Sequence, residues 1–134
     1  MLDRFEAKLD GAFGLLDRET LLARLRAVLP GERLIATTEA MRPYESDGLA
    51  AYRSLPAAVA LPADAAEAAA VLKICRELGV PVVARGAGTG LSGGALPFPG
   101  SVLLALGKLN RILEIDPVAR IARVQPGEIG RAHV

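Results

Sequence analysis

A glycine-rich segment between two hydrophobic segments constrains this 134-residue chain more than any other feature. Five of the ten residues from Arg85 to Gly94 are glycine. Because glycine has no Cβ, such a segment can adopt positive φ angles and bring successive backbone N–H groups close to an anion. A flexible linker is disfavoured, because the segment lies between two apolar strands. We also expect Leu91, within the segment, and Leu96, just after it, to be interior. We therefore predict an anion-binding loop whose natural ligand is a diphosphate.

Polar side chains add further hydrogen-bond donors to this loop. Thr89 and Ser92 supply hydroxyl groups, and Arg85 is placed either to brace the loop or to offset phosphate charge. The candidate residues of this anion-binding loop are Arg85, Gly86, Ala87, Gly88, Thr89, Gly90, Leu91, Ser92, Gly93 and Gly94. The sequence assigns no catalytic residue and no metal ligand.

Residues 88–93 also match the dinucleotide fingerprint G-x-G-x-x-G, and Glu114 or Asp116 lies at about the distance expected for a ribose-binding acid. That fingerprint needs its third glycine to open a helix, whose N-terminus helps to bind the phosphates. Pro97 and Pro99 follow here, so we expect no helix and an extended phosphate loop. A Rossmann-type NAD-binding dehydrogenase and a non-catalytic anion-binding module are the two alternatives.

The segments before the loop predict a strand, a helix and a second strand. Ala57–Leu61 is a short apolar run, and Asp64–Glu67 is typical of a capped helix start. Apolar residues at helical spacing continue to Leu78, and Gly79 follows where a left-handed C-terminal cap belongs. Residues 81–84 then predict a second buried strand, which makes a right-handed parallel βαβ unit.

Two segments after the loop predict a hairpin. Residues 111–116 and 120–124 alternate apolar and polar side chains on either side of a turn at residues 117–119, a pattern typical of a half-buried antiparallel pair. Together with a strand at Ser101–Leu106, this hairpin should make the sheet mixed. We expect an open sheet with an unpaired edge.

The first 54 residues predict a helical arm. Two groups of apolar residues at helical spacing indicate two helices, the second of them capped by Asp17 or Thr20 and ended by Pro30-Gly31. These groups are Leu2, Phe5 and Leu9, and then Leu21, Leu22, Leu25, Val28 and Leu29. The turn-rich stretch Arg42–Gly48 contains Asp47, which we interpret as a turn residue that bonds to its own backbone in preference to a functional contact.

Charge and cysteine content restrict the partners and the location. The 16 basic and 15 acidic side chains are interspersed, so no nucleic-acid surface is expected. No stretch approaches the roughly 20 apolar residues that span a bilayer. Cys75 falls on the inner helix face and is interpreted as a core residue. A single cysteine and an amino-terminal sequence without a continuous apolar core predict a cytoplasmic protein.

The last six residues, Ile129–Val134, are interpreted as a sequencing-adapter artefact. They can be encoded by DNA that resembles the start of a common short-read adapter, and Glu128 is affected as well. A genuine short helix start is the alternative. His133, the one histidine, belongs to this tail.

The loop and its flanks resemble a known family. The stretch V-x-A-R-G-A-G-T-G-L-S-G-G, with the flanking residues from Leu55 to Gly127, resembles the FAD-linked subunit of glycolate oxidase and the related D-lactate dehydrogenases. At a higher level it is similar to the FAD-binding domain of the vanillyl-alcohol-oxidase or PCMH type, and Arg42–Gly48 suits that family's amino-terminal arm.

The resemblance implies an α+β fold with amino-terminal helices, a βαβ unit and an antiparallel hairpin. Residues 1–54 would form the arm and residues 55–128 the first, incomplete part of the FAD-binding domain. The substrate domain would lie beyond this chain, which is expected to be a truncated amino-terminal part that is inactive alone.

The resemblance also implies a cofactor, a substrate and a partner. Gly86, Gly88, Thr89 and Gly90 would lie closest to the FAD pyrophosphate, and FAD would be non-covalent because Thr89 occupies the position of the linking histidine in some relatives. Pro62 and Asn110-Arg111 would line the cofactor cleft, although Arg111 is as readily a surface cation. A small 2-hydroxyacid, glycolate or D-lactate, would pass electrons through FAD to an iron–sulfur partner subunit and on to a quinone.

Overall fold

The computed structural model describes residues 18–129. The predicted helix around Leu2–Leu9, the possible cap Asp17 and the last five residues with His133 lie outside the described residues. The described elements are α1 (Arg18–Arg26), β1 (Leu34–Ile35), α2 (Thr38–Met41), β2 (Ala58–Ala60), α3 (Ala65–Leu78), β3 (Val82–Arg85), β4 (Val102–Ala105), β5 (Ile112–Asp116) and β6 (Ile121–Val124), with 3-10 turns at Gly31–Arg33 and Arg42–Tyr44.

Four strands form an open sheet in the order β1, β2, β4, β3. β2 and β3 each pair in parallel with β4, and β1 pairs antiparallel with β2. The predicted parallel strand–helix–strand unit is confirmed, but β4 lies between its two strands. The glycine-rich segment after β3 therefore carries the chain back to the middle of the sheet.

Both faces of β2 and β4 are covered, which explains their unbroken apolar sequences. On one face, side chains of β2 and β4 pack with the buried leucines of α1 and with Val71, Ile74 and Cys75 of α3. On the other face, Val59 and Leu103 pack with Met41 of α2, and Tyr44 lies against this cluster. The part of the arm from Ile35 to Tyr44 thus covers this face of the sheet.

The ends of α3 follow the predicted capping chemistry. The Asp64 carboxylate accepts a hydrogen bond of 2.8 Å from the Glu67 amide, and the Glu67 carboxylate accepts one of 2.7 Å from the Ala63 amide. Gly79 ends the helix with φ of 68°, a left-handed conformation that favours glycine. Arg33 forms an ion pair with Glu67 and so ties the arm to the start of α3.

We expect the stability of the fold to depend on Glu67 at acid pH. The hydrogen bond from Arg33 lowers the pKa of Glu67 below its ordinary value of 4.5. Because the pKa of Glu67 is lower in the folded than in the unfolded state, its contribution to stability is complete above the ordinary value. This contribution is lost as the pH falls through the lowered pKa. Urea unfolding as a function of pH should show a smaller decline below pH 4.5 for Glu67→Gln than for the wild type. Glu32→Gln is the charge-matched control, and an unchanged pH profile in Glu67→Gln would contradict the prediction.

The predicted hairpin forms, but the prediction of a half-buried pair within the main sheet is wrong. β5 and β6 make a separate two-stranded sheet, and all their residues are exposed. Ile115 is 64% exposed and Ile121 62% exposed, because nothing among residues 18–129 packs against the hairpin's apolar side chains. The main sheet is mixed because of β1, which the sequence analysis did not predict.

Three smaller expectations also need correction. β3 is an edge strand of the four-stranded sheet, and its side chains are half-buried or exposed instead of buried. α1 ends at Arg26, although Leu29 is still buried one turn later and donates a hydrogen bond to the Leu25 carbonyl. Thr20 lies inside α1 and so does not precede it as a cap.

Two further findings concern the described part of the chain as a whole. Within residues 18–129, no helix is long and apolar enough to cross a membrane.

Cys75 is buried in the core as predicted, and burial raises the pKa of its thiol to about 11. The thiol is therefore protonated at neutral pH, which suits packing and not nucleophilic chemistry.

Candidate functional site

A cleft of about 420 Å³ lies at the carboxyl ends of β3 and β4. Gly86 and Ala87, directly after β3, form part of one wall, and Gly107 and Asn110, after β4, form another. Gly127, Glu128 and Ile129 complete the lining. Ligands of parallel sheets bind where the strands end at their carboxyl side, so this cleft is in the expected position for a cofactor.

A second cavity of about 290 Å³ lies at the amino ends of the same strands. It is lined by residues that include Arg18, Leu21, Pro56 and Val80. The Arg18 guanidinium donates hydrogen bonds to the Ala36 and Ala57 carbonyls, so these donors stabilise the fold. None of the residues predicted to bind a cofactor lines this cavity.

Within residues 18–129, the backbone amides of the glycine-rich loop have no hydrogen-bond acceptor. Among the described residues, no hydrogen bond takes an amide hydrogen from any residue between Gly86 and Ala95; the Leu96 amide donates to the Gly93 carbonyl. Gly88 and Gly93 have φ angles of 74° and 76°, which side chains disfavour. An extended loop with unpaired N–H groups is the kind of segment that binds an anion.

The loop also leaves space for a ligand to approach the backbone. A Cβ built on Gly90 or on Gly94 would meet no atom within 4 Å, and one built on Gly86 would lie 3.5 Å from the Pro126 carbonyl oxygen. These glycines are thus not required by the packing of the described residues. Their small size leaves room for a ligand as large as a diphosphate to come close to the backbone.

Arg85 braces the loop against the arm. Its guanidinium donates a 2.5 Å hydrogen bond to the Ser46 carbonyl and lies 5.6 Å from the centre of the Tyr44 ring. It also contacts Gly88 so closely that a Cβ there would overlap the guanidinium. Of the two roles open to Arg85 from the sequence, the geometry favours bracing.

Asp47 forms the turn that the sequence analysis predicted. Its Oδ1 accepts a 2.8 Å hydrogen bond from the Leu49 amide. The residue is only 7% exposed, and Oδ2 has no hydrogen-bond partner among the described residues. A buried carboxylate oxygen without a partner is costly and is more frequent at functional sites than elsewhere.

The other predicted site residues are distributed unevenly. Asn110 lines the cleft, whereas Arg111 is exposed outside its lining and Pro62 is buried elsewhere. Leu91 is 72% exposed, so the expectation that it is interior is wrong; Leu96 is half-buried. Leu91 therefore lies at a part of the loop that no described residue covers.

Gly127 is a site residue that the sequence analysis missed. Its amide donates a 2.8 Å hydrogen bond to the Leu109 carbonyl, and a Cβ there would overlap the Leu106 carbonyl. The backbone of residue 127 thereby forms the floor of the cleft against the segment after β4. The one available signal was a glycine directly after Gln125-Pro126 at the end of the hairpin.

The dinucleotide fingerprint of Rossmann type lacks its structural context. That reading needs a helix that begins at Gly93, and residues 91–100 form turns without any helix. Within residues 18–129, no group of three histidine, cysteine or acidic side chains is placed to hold a metal ion. The fold, the cleft and the extended glycine-rich loop together indicate the class of the protein, a candidate cofactor-binding domain.

Comparison with known proteins identifies this class. Residues 56–132, more than half of the chain, match the family described as FAD binding domain. The chain therefore belongs to the FAD binding domain family, and the implied cofactor is confirmed at the level of the family.

Relatives and solved structures agree with this membership. The chain is 51% identical over 123 residues to the glycolate oxidase subunit GlcD of Escherichia coli (strain K12), covering 92% of this chain and 25% of that protein. It is 32% identical over 108 residues to a D-lactate dehydrogenase of Anaerostipes hadrus, covering 80% and 22%. The structure of p-cresol methylhydroxylase with substrate bound matches with a TM-score of 0.71 and 28% identity, covering 82% of this chain and 22% of that chain. The chain thus spans about a quarter of the length of these relatives, and the predicted fold class is confirmed.

Proposed function

We propose that this chain supplies the diphosphate-binding part of an FAD-linked oxidoreductase. The observation that carries the proposal is the run of amides from Gly86 to Ala95, which have no acceptor within the described part of the chain and lie next to a cleft at the carboxyl ends of the parallel strands. Backbone N–H groups bind phosphate oxygens without a counter-ion when several converge on one anion. The residues assigned to the cofactor site are those of the loop, Arg85–Gly94, with Gly86, Gly88, Thr89 and Gly90 closest to the pyrophosphate.

The substrate class we propose is a small 2-hydroxyacid, with glycolate first and D-lactate second. The support is the 51% identity to a glycolate oxidase subunit, together with similarity to a D-lactate dehydrogenase and to a D-2-hydroxyglutarate dehydrogenase of Xanthomonas citri. FAD, when bound, supplies the two-electron acceptor for oxidation of the hydroxyl-bearing carbon. The role of this chain is to hold the phosphates and so to fix the distance of the reactive ring from the sheet.

We propose that FAD is held without a covalent bond. The position of the linking histidine of some relatives is Thr89 here, and the one histidine of the sequence is His133. A threonine hydroxyl can donate a hydrogen bond to a phosphate oxygen, which suits reversible binding.

A partner subunit and a cytoplasmic location complete the proposal. The related Escherichia coli protein is named as a subunit of glycolate oxidase, which supports an assembly with other chains. We assign to one of them the iron–sulfur centre that accepts electrons from FAD. The buried thiol of Cys75 suits a reducing compartment, and cell fractionation of a tagged chain would test the location.

The test is a chimera in which this chain replaces the matching quarter of the Escherichia coli glycolate oxidase subunit. We expect the purified chimera to contain flavin, to lose its visible flavin absorbance when glycolate is added without oxygen, and to release all FAD into the supernatant on acid precipitation. The unmodified Escherichia coli subunit is the control.

Each part of the proposal has its own failing outcome in this experiment. A folded chimera without flavin would refute the cofactor role of the chain. A chimera that holds flavin which glycolate does not reduce would refute the placement of the ring by this loop. Flavin that stays with the acid-precipitated protein would refute non-covalent binding.

A further inference from the structure

The arm at Tyr44–Gly48 contacts the glycine-rich loop although it lies outside the family match at residues 56–132. Arg85 links the two segments through the Ser46 carbonyl and the Tyr44 ring. Gly48 lies directly against the loop backbone, since a Cβ there would be 2.7 Å from the Thr89 carbonyl oxygen and 2.9 Å from that of Gly90. The arm therefore touches the loop at the residues expected to lie closest to the cofactor phosphates.

The contact is built from both sides. On the arm, the buried turn of Asp47, closed by its bond to the Leu49 amide, fixes how the Ser46 carbonyl and Gly48 face the loop. On the loop, the half-buried guanidinium of Arg85 lies between Gly88 and the arm. A planar guanidinium suits this place because it can stack on a ring and donate to a carbonyl at once.

We propose that the arm is a positioning element of the diphosphate loop, and that Arg85 is a positioning residue that acts through Ser46 and Tyr44 instead of a phosphate ligand. The inference rests on the proposed function, because it names what sets the conformation of the loop that receives FAD. Free loop amides bind an anion well only if they are already directed at it, so an undocked arm lowers affinity without removing any ligand contact.

The test compares Arg85→Lys with Arg85→Gln in the 134-residue chain, using ADP as the diphosphate probe and calorimetry at low and at high ionic strength. We expect both variants to bind ADP about tenfold more weakly, because neither side chain can stack on Tyr44 and bond to Ser46 as arginine does. We expect the salt dependence of binding in Arg85→Lys to stay as in the wild type, because lysine keeps the positive charge and no contact between a cation and a phosphate is lost. Arg123→Gln, on the exposed hairpin, is the control for loss of an arginine charge.

Two results of this comparison would overturn the proposal. Wild-type affinity in Arg85→Lys, with a loss and a weaker salt dependence in Arg85→Gln, would show that the cation contacts phosphate directly. Unchanged affinity in both variants would show that the brace does not affect the loop.

A measurement without ligand separates this inference from the proposed function. In Gly48→Ala the added methyl group pushes the arm away from the Thr89 and Gly90 carbonyls, so we expect lower NMR order parameters for the amides of residues 86–94. Circular dichroism verifies that the variant is folded. Failure of the wild type to bind ADP would refute the proposed function, whereas unchanged loop order parameters in folded Gly48→Ala would refute the positioning role of the arm.

Discussion

Replacement of Gly127 by alanine should destabilise the chain by about 3 kcal/mol, near the upper end for a single substitution. The new Cβ would overlap the Leu106 carbonyl and lie 2.9 Å from the Leu109 carbonyl oxygen. Both neighbours are backbone atoms, which cannot move aside as a flexible side chain would. Relief of the overlap therefore requires the segment after β4 to shift, which also deforms the cleft floor and breaks the bond from the Gly127 amide to Leu109.

Urea unfolding monitored by far-ultraviolet circular dichroism measures this loss of stability. Gly86→Ala is the matched control, because its Cβ would meet the Pro126 carbonyl oxygen at 3.5 Å, an ordinary contact distance. We expect Gly86→Ala to unfold at nearly the wild-type urea concentration. Equal midpoints for Gly127→Ala and the wild type would show that residue 127 does not pack on this segment.

The sequence predicted best those parts of the fold whose causes are local. The capped helix α3 follows from Asp64, Glu67 and Gly79, which act within one turn of the helix ends. The buried strands β2 and β4 follow from unbroken apolar sequences. The absence of a helix after the glycine-rich loop follows from Pro97 and Pro99, and residues 91–100 form turns.

What the sequence did not predict depends on contacts between distant segments. Nothing in residues 102–105 indicates that β4 enters between β2 and β3, because strand order is set by the packing of the complete sheet. The two residues of β1 are too short for a periodic pattern, and the strand exists because Leu34 and Ile35 pair with β2. The alternation of apolar and polar side chains predicted that β5 and β6 pair. It did not predict whether another segment covers their apolar side chains, which are exposed.

The candidate site divides in the same way. The extent of the candidate loop could be predicted from the sequence, since glycine spacing reports directly on backbone freedom. Its role in binding a cofactor stays a prediction. The contacts of Gly48 and Gly127 could not be predicted, because each glycine packs against a backbone carbonyl at least 20 residues away along the chain. This carbonyl is that of Thr89 for Gly48 and that of Leu106 for Gly127. The role of Arg85 was open for a related reason: its partners, Tyr44 and Ser46, are brought to it only by the packing of the arm on the sheet.

Replacement of Gly90 by alanine should weaken FAD and ADP binding by about a hundredfold while leaving the free chain as stable as the wild type. The site is open, with no atom within 4 Å of the added Cβ, so the substitution creates no overlap in the fold. In the complex, the methyl group would stand between the loop amides and the phosphate oxygens. Loss of two charge-assisted hydrogen bonds of about 1.5 kcal/mol each gives a change of this size.

Comparison with Gly88→Ala and with Ala122→Val shows whether the loss is specific to the ligand. Gly88 has a φ of 74° and contacts the Arg85 guanidinium, so alanine there should reduce both stability and affinity. Ala122→Val enlarges an exposed side chain on the hairpin and should change neither. Calorimetric titration with ADP and thermal unfolding of each free variant supply the two readouts. If Gly90→Ala binds ADP as the wild type does, the diphosphate does not approach the loop at residue 90, because a loop that receives phosphate through its amides cannot accommodate a side chain on the ligand face.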